Sequence, residues 1–209
     1  MTLLNVAEIC PATRTLGPGL RFVIWVQGCC FTCPGCVSPD WIPQKAATLV
    51  QPQQLADQIL SLPQIEGITI SGGEPMLQAS ALSELIAVIQ AQRDLSIICY
   101  SGFTLAQLRS LATTEVAIAP GIAQLLSQID VLIDGQYIAA LNDNRGWRGS
   151  ANQTVHFLTD RYSNRADEFT QRRRDIEIHV RDMAALMVGV PPIAFSPKLK
   201  QALRSTMAG

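Results

Sequence analysis

Gly67-Ile-Thr-Ile-Ser-Gly-Gly-Glu-Pro75, with Leu82, Leu85, Ile86 and Ile89 behind it, decides the fold class. Gly67 to Ser71 reads as a strand. Apolar residues at i, i+3, i+4 and i+7 mark one face of a helix. Pro75 fixes the turn between them and suits a first helical position, where a missing N–H goes unnoticed. A strand that runs through a tight turn into a helix is the repeating unit of α/β proteins with parallel sheets.

The same rhythm extends to both sides. Residues 3–9 read as a short strand, followed by a turn-rich segment with Pro11, Gly17, Pro18 and Gly19. Arg21 to Gln27 is β-branched and aromatic, the pattern of a buried strand. Residues 52–62 carry Leu55, Ile59 and Leu62 at helical spacing behind Pro52. Leu95 to Tyr100 is a strand that stops at Ser101-Gly102, residues 104–112 a helix, and Asp130 to Ile133 a strand that stops at Asp134-Gly135. The expectation is one α/β domain over 1–209 with a mainly parallel sheet. Residues 141–153 read as a polar loop and 159–175 as a mobile excursion. Ile176, Ile178 and Val180 alternate with charged residues as in a half-exposed strand. Pro191-Pro192 then breaks the chain before a last helix over 196–206.

Composition narrows the function classes. With 48% apolar and 16% charged residues the chain is globular, and a formal net charge of −1 gives no global field to recruit nucleic acid or anionic lipid. Arg172-Arg173-Arg174 sits beside Asp167, Glu168 and Asp175 and reads as a solvated face. The N-terminus lacks the features of a secretory signal, and no stretch approaches the roughly 18 apolar residues of a membrane span. The expected location is the cytoplasm, where the six cysteines are not a disulfide framework.

Four cysteines cluster at positions 29, 30, 33 and 36. Cys29-x3-Cys33-x2-Cys36 places three thiolates in one loop at the end of a strand. An iron–sulfur cubane takes thiolate ligands, normally four, so three leave one iron open to a substrate. Structural zinc wants four closed ligands, and His156 and His179 are far downstream. A Cys33-Pro-Gly-Cys36 redox pair leaves Cys29 unexplained. A register of Cys30, Cys33 and Cys36 stays open. Cys10 and Cys99 read as small buried residues. In the second motif, Gly72 and Gly73 permit close backbone approach to a ligand, and Glu74 offers an acceptor for a ligand ammonium. Both motifs fall at strand C-terminal ends, where α/β sheets bind ligands.

Together the two motifs resemble the radical S-adenosylmethionine superfamily. Gly28-Cys29, Cys33-Pro-Gly-Cys36, Pro39-Asp40-Trp41, Tyr100-Ser101-Gly102-Phe103, Asp130-Val-Leu-Ile-Asp134-Gly135 and Arg148-Gly149-Ser150-x-Asn152-Gln153 are similar to the branch that activates glycyl-radical enzymes such as anaerobic ribonucleotide reductase. The resemblance covers roughly residues 20–158, leaving a C-terminal extension over about 159–209. Val37-Ser38, the extra thiol of Cys30 and the long tail depart from the branch pattern.

The resemblance implies a partial parallel (β/α) barrel with its site at the top. It implies a [4Fe–4S] cluster on Cys29, Cys33 and Cys36 whose open iron chelates the methionine end of S-adenosylmethionine. Glu74 and the Gly72–Gly73 backbone would hold the methionine ammonium, and the backbone of Gly35, Cys36 and Val37 would lie against the adenosine. Ser101 is a candidate ribose contact. Asp134 either faces the site, through a bound cation, or is a strand-end turn residue. Arg148, Asn152 and Gln153 either shape the site or form a structural loop. The implied activity is reductive cleavage to methionine and a 5′-deoxyadenosyl radical, which abstracts hydrogen from a glycine of a partner enzyme. A flavodoxin or ferredoxin would supply the electron, and no auxiliary cluster is expected. The rival readings are a carboxy-deazaguanine synthase-like enzyme acting on a small molecule, and a zinc or dithiol binding module.

Overall fold

The computed structural model describes residues 2–114, 121–181, 184–193 and 195. In chain order the elements are β1 (Leu4–Thr13), β2 (Arg21–Val26), β3 (Thr48–Val50), α1 (Pro52–Leu60), β4 (Gly67–Gly72), α2 (Ala79–Gln90), β5 (Ser96–Ser101), α3 (Leu105–Ala112), α4 (Ile122–Gln128) and β6 (Val131–Asp134). Then come β7 (Thr154–Phe157), α5 (Ala166–Gln171), β8 (Ile176–Arg181) and β9 (Ala184–Gly189). The fold is mixed α/β. Seven strands form one sheet in the order β3-β1-β2-β4-β5-β6-β7, and β8 and β9 form a separate hairpin. The central four, β2-β4-β5-β6, are parallel, and the flanking pairs are antiparallel.

Strand alternation decides the layers. Phe22, Ile24, Val26, Ile68, Ile70, Ile97, Cys99 and Leu132 face α1 to α4 and join their apolar stripes in the main core. Val23, Trp25, Ile98, Val131 and Ile133 point the other way and are equally buried. A sheet buried on both faces explains why its central strands read as continuous β-branched runs.

The second face is covered by the C-terminal part of the chain, which corrects two expectations. Residues 159–175 are packed. A 3₁₀ turn over Asp160–Arg165 leads into α5, whose Phe169 is fully buried against Trp147 (4.9 Å between ring centroids) and Phe157 (5.3 Å). One phenylalanine suffices to dock a short polar helix, because an aromatic ring buries so much area. The arginine run is only partly solvated. Arg174 is buried and donates to the carbonyls of Arg148 (2.6 Å) and Gly149 (3.1 Å) and to Asn142 Oδ1 (2.8 Å). Arg172 stacks over Trp147 at 4.5 Å. Only Arg173 is exposed.

Beyond α5, Val188 on β9 packs onto Cys10, Leu16, Val23 and Trp25. β1 runs past Pro11, longer than the strand expected over 3–9. The expected helix over 196–206 lies outside the described residues.

Candidate active site

The parallel strands end together. Val26 pairs with Gly72, Ile70 with Cys99, and Ser101 with Asp134, so the segments leaving β2, β4, β5 and β6 emerge at one edge. A cleft of about 490 Å³ opens there.

Cys29, Cys33 and Cys36 all line it, whereas Cys30 is exposed and absent from its wall. The loop that carries them is tied at its base. Gly28 N–H donates to Trp41 O and Cys29 N–H to Ile42 O, each at 2.9 Å. The side-chain amide of Gln27 donates to Pro43 O at 2.7 Å. Burial, with Glu74 close by, pushes the Cys29 thiol up to about 11. Phe31 N–H reaches Cys29 Sγ at 3.4 Å, Ser38 N–H reaches Cys36 Sγ at 3.4 Å, and Cys33 Sγ lies 3.9 Å from Gln136 Oε1. Among the described residues no three His, Cys, Asp or Glu side chains converge on a single metal ion. Three thiols spread along one loop and facing one cleft fit the separate irons of a cubane better than one tetrahedral ion.

The Gly72-Gly73-Glu74 turn is built against this loop. Gly73 N–H donates to Val26 O (2.8 Å) and Glu74 N–H to Gly28 O (2.9 Å). A Cβ on Gly73 would stand 2.1 Å from Gly28 O, and one on Gly72 2.3 Å from Val26 N. The two glycines are therefore demanded by the neighbouring backbone, a reason distinct from close approach to a ligand. The same holds at Gly102, where a Cβ would lie 2.5 Å from the ring of Phe31, which packs edge-on to Phe103 at 4.8 Å.

Glu74 is 1% exposed. Its Oε1 accepts from Met76 N–H (3.0 Å) and from the Ser101 hydroxyl (2.9 Å), and its Oε2 accepts from Gly102 N–H (2.7 Å). Among the described residues no arginine, lysine or histidine pairs with it. Burial outweighs those hydrogen bonds and pushes its carboxyl up to about 7. A buried carboxylate held by neutral donors is suited to receive a cation from the cleft.

The other sequence-marked residues divide. Val37, 60% exposed, stands at the rim, and Gly35 abuts Ala139 outside the cleft wall. Ser101 reaches the cleft, yet its hydroxyl proton goes to Glu74 and its oxygen accepts from Phe103 N–H at 3.1 Å. Asp134 does not line the cleft. Its Oδ2 accepts from Leu105 N–H (2.5 Å), at the start of α3, and meets His156 Nε2 at 2.8 Å, which makes it a strand-end and helix-start residue. Arg148 pairs with Asp143 at 2.5 Å, and Asn152 donates to Gln136 O. Gln153 accepts from Gly149 and Ser150 N–H and donates to Gly135 O, so this trio braces a loop and only Gln153 touches the cleft. His179 lies at Glu177 and Cys10 and does not line the cleft with Cys29, Cys33 and Cys36.

Sequence reasoning did not mark Phe31, Tyr137 or the β9 residues Leu186 and Met187, all of which line the cleft. The alternation of Leu186 and Val188 on one face was the available signal for β9, blurred because Ala185 and Met187 between them are apolar too.

The geometry has counterparts. A family model described as a 4Fe-4S single cluster domain matches residues 15–156. The chain is 32% identical over 165 residues to an anaerobic ribonucleoside-triphosphate reductase-activating protein of Vibrio cholerae, covering 75% of this chain and 99% of the relative. It is 29% identical over 163 residues to the protein of that name from Enterobacteria phage T4, covering 75% and 96%. It is 37% identical over 81 residues to a pyruvate formate-lyase-activating enzyme of Staphylococcus epidermidis, covering 36% and 32%.

Proposed function

We propose, from the premise that the chain belongs to the 4Fe-4S single cluster domain family and to the activating enzymes within it, a function and a division of labour among its residues. The chain is an activating enzyme of the radical S-adenosylmethionine type, using a [4Fe–4S] cluster and S-adenosylmethionine to act on a glycyl-radical enzyme. The observation that carries the site is the facing of two unlike groups across one cleft. Three thiols, Cys29, Cys33 and Cys36, stand on one loop, and Glu74, whose buried carboxylate also lines the cleft, stands on the next, its backbone N–H bonded to Gly28 O of the cysteine loop.

Cys29, Cys33 and Cys36 would hold the cluster as thiolates, and Cys30, exposed, would stay outside the ligand set. Held there and reduced, the cluster would supply the single electron needed for reductive cleavage of S-adenosylmethionine to methionine and a 5′-deoxyadenosyl radical. Glu74 would hold the methionine amino end through its carboxylate and give up its proton to solvent, because a donor beside it favours the ionised form. Ser101 and the Gly102 amide hold the Glu74 oxygens in position. The Gly72–Gly73 backbone faces the same end of the ligand, and Cys36 and Val37 offer a partly apolar rim to the adenosine. Phe31 and Trp41 help exclude water from the wall.

The central parallel strands with α1 to α4 on one face accord with a partial (β/α) barrel. Among the described residues no helix is long and apolar enough to cross a membrane. A cytoplasmic location, a flavodoxin or ferredoxin donor, and a single domain with a core over about 20–158 complete the reading.

The test is anaerobic reconstitution, reduction and addition of S-adenosylmethionine, with 5′-deoxyadenosine measured by chromatography and a glycyl radical on the partner by paramagnetic resonance. Both products should form and both should vanish in Cys33→Ala. Cleavage that needs no partner protein and leaves no protein radical would favour a small-molecule substrate. A chain that assembles no cluster would refute the reading.

A further inference from the structure

The described residues 176–181 and 184–193 lie beyond the residues matched by the family model, yet 185–191 contribute to the site. One end is anchored to β1. Glu177 Oε1 accepts from Arg14 N–H (3.0 Å), and Arg181 donates to Glu8 Oε2 (3.0 Å) and Ile9 O (2.9 Å). The hydroxyl of Thr15 donates to Val188 O (3.1 Å). The other end is fastened to the loop after β6, toward the opposite edge of the sheet, where Ile193 N–H donates to Asn144 Oδ1 (3.0 Å). Arg174 binds the same loop through Asn142 and Gly149. Between these anchors the chain crosses the face of the sheet that carries Trp25, and Leu186, Met187 and Pro191 become part of the cleft that holds the three cysteines.

We propose that this strap selects the hydrogen donor. It forms one wall of the cleft, so that a donor approaching the three cysteines from that side must pass Leu186 and Met187, a passage that favours an extended main-chain segment with little or no side chain. Met187 sets the width of that passage. An unbranched side chain that adapts to its neighbours suits such a wall. The role of the strap rests on the activase reading, since the donor it admits is the glycine-bearing segment of the partner. Its place as a wall of the cleft does not.

Size-graded thiol labelling of the full chain without its cluster tests the wall. Cys30 is exposed and serves as an internal reference. Iodoacetamide should modify Cys33 and Cys36 in the wild type, while a polyethylene glycol maleimide should react chiefly with Cys30. Arg181→Glu places like charge against Glu8 and should raise the Cys33-to-Cys30 ratio for the large reagent by about fivefold, or roughly 1 kcal/mol of easier opening. Met187→Ala, which leaves the anchors intact, should raise it in the same direction. Ratios that stay at the wild-type value in both variants would overturn the strap as a wall, whatever the protein catalyses. With the partner present, Met187→Ala should yield more 5′-deoxyadenosine per glycyl radical than the wild type at equal cluster content. An unchanged yield would overturn its part in donor selection. Loss of 5′-deoxyadenosine in the wild type would instead strike the activase reading.

Discussion

Glu74 makes the stability of the cluster-free chain depend on pH in a way that can be isolated. Burial lifts its carboxyl from an ordinary 4.5 to about 7. A carboxyl with a raised folded pKa binds its proton more tightly in the folded state. It therefore favours folding fully below 4.5, and that contribution is lost as pH rises through about 7. A displacement of this size corresponds to about 3 kcal/mol, a large part of a domain's 5–15 kcal/mol. Glu74→Gln stays neutral throughout and lacks the slope, at the cost of turning an amide N–H toward either Gly102 N–H or the donors Met76 and Ser101. The assay is urea unfolding of both proteins at several pH values from 4.5 to 8. The wild type should lose about 3 kcal/mol relative to the variant across that window, with other titrating groups cancelling in the difference. Curves that run parallel from 4.5 to 8 would refute both the raised pKa and the view of Glu74 as an uncompensated buried acid. The same linkage requires S-adenosylmethionine binding to strengthen as pH rises toward about 7 and to level off above it.

Cys33→Ala should lose the iron and sulfide that reconstitution gives the wild type, while Cys30→Ala should keep them, as read by elemental analysis. Gly73→Ala puts a methyl 2.1 Å from Gly28 O and should cost about 3 kcal/mol or more in urea unfolding, because backbone, the obstacle there, cannot step aside. Phe169→Ala should cost about 3–5 kcal/mol in the same measurement; a loss below 1 would mean that α5 is not docked as described. Asp134→Asn should leave cofactor affinity unchanged and cost about 1 kcal/mol through the weakened contacts to Leu105 and His156.

The strand–turn–helix units were legible in the sequence because both faces of the central strands are buried, which yields unbroken apolar runs such as Phe22 to Val26. The two chemical motifs were legible because each is contiguous. Elements that depend on distant partners were not. β3 is three residues held by its pairing to β1, and β7 by its pairing to β6. The segment 159–175 looked mobile because its polar majority conceals that Phe169 and Arg174 each find a site prepared by residues 142–157. Asp134, which the sequence left open between the site and a strand-end turn, takes the second place. Its place at a strand end beside the cleft says nothing of where its side chain turns, and α3 offers it an N-terminal amide. The glycine pair was read for its freedom toward a ligand, while contact between the two motif loops accounts for it.

The tie at the base of the cysteine loop bears on how the metal centre is assembled. With Gly28 and Cys29 bonded to Trp41 and Ile42, the span between them is closed before any iron arrives. For a free chain of that length the logarithmic part of ring closure alone costs on the order of 2 kcal/mol. The protein meets that cost in folding, so a cluster held by Cys29, Cys33 and Cys36, as proposed above, would need only to draw the three thiols together within a loop whose ends are already joined. The same proximity exposes the metal-free chain to oxidation, since two thiols separated by Pro34 and Gly35 are near enough in sequence to form a disulfide in air. Cluster assembly and thiol oxidation thus compete for one loop, and the order in which iron and oxygen reach the newly folded chain decides which succeeds.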